Sequence, residues 1–250
     1  METHVPISPA AAPVGVDPKP WGIPAILVAL IIPGLLWVSS LAVSLAQDTP
    51  DQLSSGEIII GLVLTIILDL VFISLAGWLA LRRHHLKPQA LGLHGFDRDL
   101  WWMPLAAAGG AHLAIVIYSV VLSVAGADAA VPKQEDLDQL FSNPAILPLT
   151  GVALVLFAPV AEEIFFRGFI FGGLVRPFGL IGAMVVSVFI FGAFHIQSAD
   201  SAGLLLPFGL VGMLFAWLYY RTGSLLPSMA AHFLFNLVSF VAIAAMGGSA

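Results

Sequence analysis

Apolar residues run in long unbroken blocks along this chain, and polar residues are confined to the short stretches between them. The blocks lie at 22–46, 57–81, 101–126, 147–174, 178–196, 204–220 and 225–246. A helix needs about 17 to 25 mostly apolar residues to cross the hydrocarbon core of a bilayer, and the blocks are of that order. The pattern predicts an all-α, polytopic transmembrane bundle of about seven spans, within a range of six to eight. Outer-membrane barrel strands would alternate in polarity over segments of about ten residues, and these blocks are longer and continuous.

The interruptions divide the chain. The first 20 residues, METHVPISPAAAPVGVDPKP, hold five prolines and no apolar core, so they read as a disordered Pro-rich tail rather than a cleavable signal. N-terminal transmembrane helices are expected over 21–126 and a second group over 147–246. The breaks at 47–56 (QDTPDQLSSG) and 127–146 (ADAAVPKQEDLDQLFSNPAI) lean acidic, whereas 82–100 (RRHHLKPQALGLHGFDRDL) leans basic.

That asymmetry predicts an orientation, because Lys- and Arg-rich loops stay on the cytoplasmic side. With the N-terminus inside, Lys19, Arg82, Arg83, Lys87, Arg98, Arg176 and Arg221 fall in cytoplasmic segments, Lys133 falls outside, and Arg167 lies within a span. An odd number of spans then puts the C-terminus outside. A multi-pass protein of the cell membrane is expected, the bacterial inner membrane being the natural setting. No internal repeat of the sort that marks many secondary transporters is present.

Composition supports the class and narrows the chemistry. Of 250 residues, 59% are hydrophobic and 10% charged, whereas soluble domains carry about a quarter charged residues. The net charge of −6 weighs little, since a membrane protein's charges act by side rather than by sum. There is no cysteine, which excludes disulfides, thiolate zinc sites and cysteine nucleophiles. A nucleophile must be oxygen-based or water. The expected partners are membrane lipid and a membrane-associated peptide or protein substrate, with no nucleic acid; the sequence leaves the oligomeric state open.

The candidate chemistry begins in residues 158–174, APVAEEIFFRGFIFGGL. An ionisable residue near the bilayer centre costs about 2.5 to 3.5 kcal/mol on insertion scales and tends to mark function. Glu163 and Arg167 form an i, i+4 pair on one helix face and can neutralise each other. Glu162 lies about 100° round the helix from Glu163 and lacks that partner. Structural glue between helices accounts for a lone Glu–Arg pair as well as function does, but less well for two adjacent glutamates.

Two more polar pairs follow at helical spacing: Phe191 with His195, and His232 with Asn236. Taken singly, each histidine reads more readily as a helix-end or packing residue. Together the three spans supply a carboxylate, two imidazoles and a carboxamide. That set suits hydrolysis by water, with Glu162 as base and His195 holding the same water. His232 and Asn236, on one stripe of one helix, can donate to the oxyanion.

These residues in this order, Glu162-Glu163-x-x-x-Arg167, Phe191-x-x-x-His195 and His232-x-x-x-Asn236, resemble the CAAX prenyl protease and bacteriocin-processing (CPBP, or Abi) family, which includes the type II CAAX prenyl endopeptidases. The LGL at Leu91 to Leu93 is also similar, though a weak sign alone. The resemblance covers residues 147–240. It implies a glutamate-dependent intramembrane endopeptidase in which the first Glu and first His activate water while the second His and the Asn form the oxyanion site. It makes 147–246 a CPBP-like catalytic core and leaves the substrate's identity open.

Depth is an obstacle to this reading. Counted from the expected cytoplasmic ends, Glu162, His195 and His232 lie about 12, 18 and 8 residues deep, up to about 15 Å apart along the normal for straight helices. Convergence requires irregular helices, for which Pro159, Gly192 and Pro227 are the expected sources.

Three other readings compete. A zinc hydrolase would use Glu162, His195 and His232 as ligands, but there is no HExxH, and the expectation is no metal and no cofactor. The pair His84-His85 reads as a solvated loop edge. A non-catalytic membrane binding or immunity protein of the same fold would keep the polar core and cleave nothing. A transporter has Asp69 in the second span as its extra clue, although that residue also suits a bond between helices or a water path. Trp21, Trp101, Trp102, Trp217, Tyr219 and Tyr220 are expected as interfacial anchors. His112 and Tyr118 lie within reach of the polar core, with nothing in the spacing to place them.

Overall fold

The computed structural model describes residues 19–46, 54–127, 141, 143–196 and 203–247. The expected tail thus falls outside the described residues except for Lys19 and Pro20, as does Lys133. Among the described residues the regular structure is all helical, with no strand. Helix α1 spans Ile23–Ala46; α2 spans Ser55–Ala76 and runs on as a π-helical turn, Gly77–Arg82; α3 spans Met103–Val124. The start of α2 is set by a reciprocal cap: the Ser54 N–H donates to Glu57 Oε2 at 2.7 Å and the Glu57 N–H to Ser54 Oγ at 3.3 Å.

Residues Leu147–Phe194 form one helical run of 48 residues. Straight, it would be about 72 Å long, more than twice the roughly 30 Å of a hydrocarbon core. It is broken at Gly179, with φ 65° and ψ −179°, a conformation open to glycine because no Cβ is present. Pro177, two residues earlier, removes a helical N–H from the turn before the break. We number the two arms α4 (147–178) and α5 (180–194). Helices α6, Leu205–Thr222, and α7, Leu225–Gly247, complete the bundle.

Five helical stretches are long and apolar enough to cross a bilayer: Ile23–Ala42, Ser55–Arg82, Arg98–Val124, Leu147–Phe194 and Leu225–Ala245. The protein is therefore a multi-pass membrane protein. Of the seven expected spans, 178–196 corresponds to α5, the second arm of the 48-residue run. The block at 204–220 forms α6, which is not among the five. Its Val211, Phe215, Ala216, Leu218 and Tyr219 are buried against the other helices. The outer faces of α1, α2 and α3 expose leucine, isoleucine and valine, as surfaces solvated by lipid do.

α4 is not a regular α-helix. π-helical segments Val152–Phe157 and Glu163–Phe171 flank a single α-helical stretch, Ala158–Glu162. α2 runs parallel beside it: Asn143, 88 positions after Ser55, donates to the Ser55 hydroxyl at 3.2 Å, and Phe72 stacks on Phe165 at 4.3 Å. α4 uses more residues than α2 over the same distance, as the wider π turns require.

The main core gathers Phe72 of α2, Phe165, Phe166 and Phe169 of α4, and Phe191 of α5. Met103, Ala107 and Ala111 of α3 pack with Phe215 of α6 and Phe235 of α7 in a second cluster. Two expected interfacial anchors belong to the core instead. Trp21 is 2% exposed, stacks on Phe169, and donates its indole N–H to the Phe169 carbonyl at 2.9 Å; Tyr219 is also buried. Trp101 and Trp102 are exposed, as anchors should be.

Candidate active site

Glu162, Glu163, Arg167, His195 and His232 come together where α4, α5, α6 and α7 meet, and Asn236, one turn further along α7, bonds the backbone of α4 instead. Because α4 and α5 fold back at Gly179, and Glu162 and His195 lie at nearly equal distances along the chain on either side of it, the two reach the same level. His195 caps the end of α5 and lies close enough to Glu162, His232 and Arg167 for their charges to act on it. The depth mismatch is therefore resolved chiefly by the Gly179 break and the π segments of α4.

Pro159 contributes through the backbone. In the π turn before it, the Ala158 N–H donates to the Ala153 carbonyl. The N of residue 159, next in line for the Leu154 carbonyl, carries no hydrogen. Asn236 supplies the missing donor, its Nδ2 bonding Leu154 O at 2.7 Å. Gly192 acts by close approach: a Cβ there would lie 2.7 Å from the Leu205 carbonyl oxygen, so only glycine lets the end of α5 lie against the start of α6.

The two glutamates are in different surroundings. Glu163 is fully buried, with Arg167 Nη1 2.9 Å and His232 Nδ1 3.0 Å from the same oxygen, Oε1. The arginine contact is a close ion pair without an aligned hydrogen bond. Arg167 is further held by its Nη2 bond to the Gly212 carbonyl at 3.2 Å and by the faces of Phe191 and Phe215, at 4.1 and 5.5 Å. Glu162 is 17% exposed, and His232 Nε2 lies 3.9 Å from its Oε2. The i, i+4 pairing of Glu163 with Arg167 is as expected, and the His232 ring lies between both carboxylates.

Each histidine has one nitrogen committed. His195 Nδ1 donates to the Phe191 carbonyl at 2.9 Å, which leaves Nε2 as an acceptor in the neutral ring. Its ring stacks on Phe208 at 4.4 Å. His232 Nδ1 donates to Glu163, so its Nε2 can donate only in the imidazolium form. Asn236 keeps its second amide hydrogen and its Oδ1.

Several residues here carry no motif. Gly212 makes room for the arginine, since a Cβ would meet Phe191 Cδ1 at 2.9 Å and Arg167 Nη2 at 3.2 Å; its only sign in the sequence is a glycine inside an apolar helix. Leu91 to Leu93 dock under the site: Tyr219 Oη donates to Leu91 O at 3.3 Å, the Leu225 N–H to Gly92 O at 2.8 Å, and Gly168 lies against Leu91. Asp69 of α2 is 3% exposed and close enough to Glu162 for their charges to interact. His112 bonds Ser239 at 3.3 Å, further along α7, and Tyr118 donates to Gly203 O at 2.7 Å. No group of three or more His, Asp or Glu side chains is placed to hold a metal ion among the described residues.

Residues 144–238 match the family model described as type II CAAX prenyl endopeptidase, Rce1-like. This segment is similar to the CAAX membrane proteases. It contains Glu162, Glu163, Arg167, His195, His232 and Asn236, and it excludes Asp69 and His112. No curated protein and no solved structure matches the chain.

Proposed function

We propose that the chain is an intramembrane endopeptidase that hydrolyses a peptide bond of a membrane-associated protein or peptide, using water activated by Glu162. The observation that carries this reading is the division between adjacent glutamates: Glu163 Oε1 is taken by Arg167 and His232, whereas Glu162 keeps an accessible face and has no hydrogen bond among the described residues. Glu162 takes one proton from water as the oxygen bonds the peptide carbonyl carbon; that proton passes to the leaving nitrogen as the C–N bond breaks. His195 Nε2 accepts the water's other hydrogen. Asn236, through its free N–H, and His232, as imidazolium, donate to the oxyanion.

In this reading 147–246 is the catalytic core and 21–126 packs around it. The N-terminus faces the cytoplasm of the cell membrane, the substrate arrives through the lipid, and no cofactor or nucleic acid takes part. The test is cleavage of a panel of membrane-tethered peptides by purified protein in lipid. Glu162→Gln and His195→Ala should each lower kcat about 100-fold or more, with the melting temperature near that of the wild type. Variants that cleave as fast as wild type would remove the mechanism. Chelation should leave the rate unchanged; loss restored by zinc would move the reading to a metal hydrolase ligated by Glu162, His195 and His232.

A further inference from the structure

We propose that Asp69 is a positioning residue of this site, and that Asp69 Oδ2 and Glu162 Oε2 hold one proton between them. The proposal rests on the protease reading and extends the site to α2, outside the Rce1-like segment.

Asp69 Oδ2 and Glu162 Oε2 are both buried oxygens without a hydrogen-bond partner among the described residues. Buried polar atoms in folded proteins are almost always paired; the other unpartnered buried atoms, Glu163 Oε2, Arg167 Nε and Arg167 Nη1, belong to the Glu163–Arg167 ion pair at 2.9 Å, whereas Asp69 Oδ2 and Glu162 Oε2 are on neighbouring helices and have no partner as close among the described residues. Helix α2 packs directly on the Ala158–Glu162 stretch, which puts the two carboxyl groups within range of each other's charge. The local register brings them level: Phe72, three residues after Asp69, stacks on Phe165, three residues after Glu162, at 4.3 Å and 17°. Phe72 also meets Phe166 edge-on at 5.5 Å.

Charge balance leads to the same place. The groups facing this cluster are Asp69 from α2, Glu162, Glu163 and Arg167 from α4, His195 from α5 and His232 from α7. Three carboxylates face one guanidinium. Two adjacent acids that share a site cannot both ionise without strong repulsion. One proton between Asp69 and Glu162 removes a charge and gives both orphan oxygens a partner. It also fixes the Glu162 carboxyl group so that Oε1, rather than Oε2, meets the water. Asp69 thus acts through Glu162 and needs no contact with substrate.

Two variants separate this role from simple packing. Asp69→Asn keeps a donor toward Glu162 Oε2; Asp69→Leu keeps the size and removes the hydrogen bond. On a tethered peptide cut by wild type, Asn should retain kcat within about tenfold and Leu should lose about 100-fold, with KM little changed in either. Equal kcat for Leu and wild type would overturn the proposal. Infrared spectroscopy gives a readout independent of turnover. At neutral pH the wild-type minus Asp69→Asn difference spectrum should contain a protonated-carboxyl C=O band that shifts in D2O; its absence would overturn the shared proton. If neither wild type nor Glu162→Gln cleaves any peptide, the protease reading falls, and the infrared spectrum still decides the proton.

Discussion

Replacing Arg167 with methionine should strongly destabilise the bundle while leaving every proposed reacting group in place. Methionine fills much of the same volume and packs well on aromatic rings, so Phe191 and Phe215 lose little contact. What is lost is the charge 2.9 Å from Glu163 Oε1 and the Nη2 bond to Gly212. Glu163 would remain as a fully buried carboxylate with His232 as its one partner. Removing one member of a buried pair costs about 3 to 5 kcal/mol. For a chain of this size each kcal/mol shifts the melting temperature by about 2 to 4 °C, so a fall of about 10 °C is expected. The double variant Glu163→Gln with Arg167→Met removes both charges of the pair together, and the glutamine oxygen still accepts from His232 Nδ1. It should recover at least half of that fall in thermal melts of lipid-reconstituted protein. If Arg167→Met melts within about 2 °C of wild type, or the double variant loses the sum of the two single effects, the ion pair does not hold the site together as argued.

Other contacts give further tests. Gly212→Ala places a methyl 2.9 Å from Phe191 Cδ1 and 3.2 Å from Arg167 Nη2, and overpacking of this kind costs about 1 to 3 kcal/mol; an unchanged melting temperature would show that the ring moves freely. Gly92→Ala meets both a φ of 90° and the Tyr219 ring 2.5 Å from the new carbon, so it should destabilise the protein and reduce cleavage, while Gly95→Ala, with nothing within 4 Å, should leave both melts and rates as they are. Asn236→Leu should lower both kcat and stability, because it strands the Leu154 carbonyl as well as removing a donor; a loss of rate without any loss of stability would count against the backbone role.

The sequence made the membrane class and the three polar pairs legible because each depends on local properties. Block length decides whether a helix can span, and i, i+4 spacing decides which side chains share a face. It could not show how the pairs converge. Glu162 and His195 look mismatched in depth because the fourth block is expected to end at 174, whereas α4 runs on to 178 and turns at Gly179, 17 residues after Glu162 and 16 before His195, where a positive φ sets the hairpin. Trp21 and Tyr219 look like interfacial residues by type, and only packing shows that Trp21 fills the space beside Gly173 and Tyr219 the space over Gly92. Asp69 was visible as a charge within a span, but its relation to Glu162 depends on the register of α2 against a π-distorted α4. Helical periodicity at 100° per residue does not describe such a segment.

The irregular backbone of α4 and its polar side chains are parts of one arrangement. Irregular backbone is tolerated within a membrane where protein, rather than lipid, satisfies the freed groups. The Leu154 carbonyl, bypassed because residue 159 is proline, is taken by Asn236 of α7. The Phe169 carbonyl, in the second π segment, is taken by Trp21 just before α1. The Phe169 carbonyl also accepts from the Gly172 N–H, so only the Leu154 carbonyl is left over by the backbone, but both pin another helix, or the segment leading into one, to α4. Glu162 and Glu163 lie between the two pins, at the junction of the short α-helical stretch with the second π segment. A regular α4 would satisfy its own carbonyls, release Asn236, and change the angle between the two carboxylates that face His232.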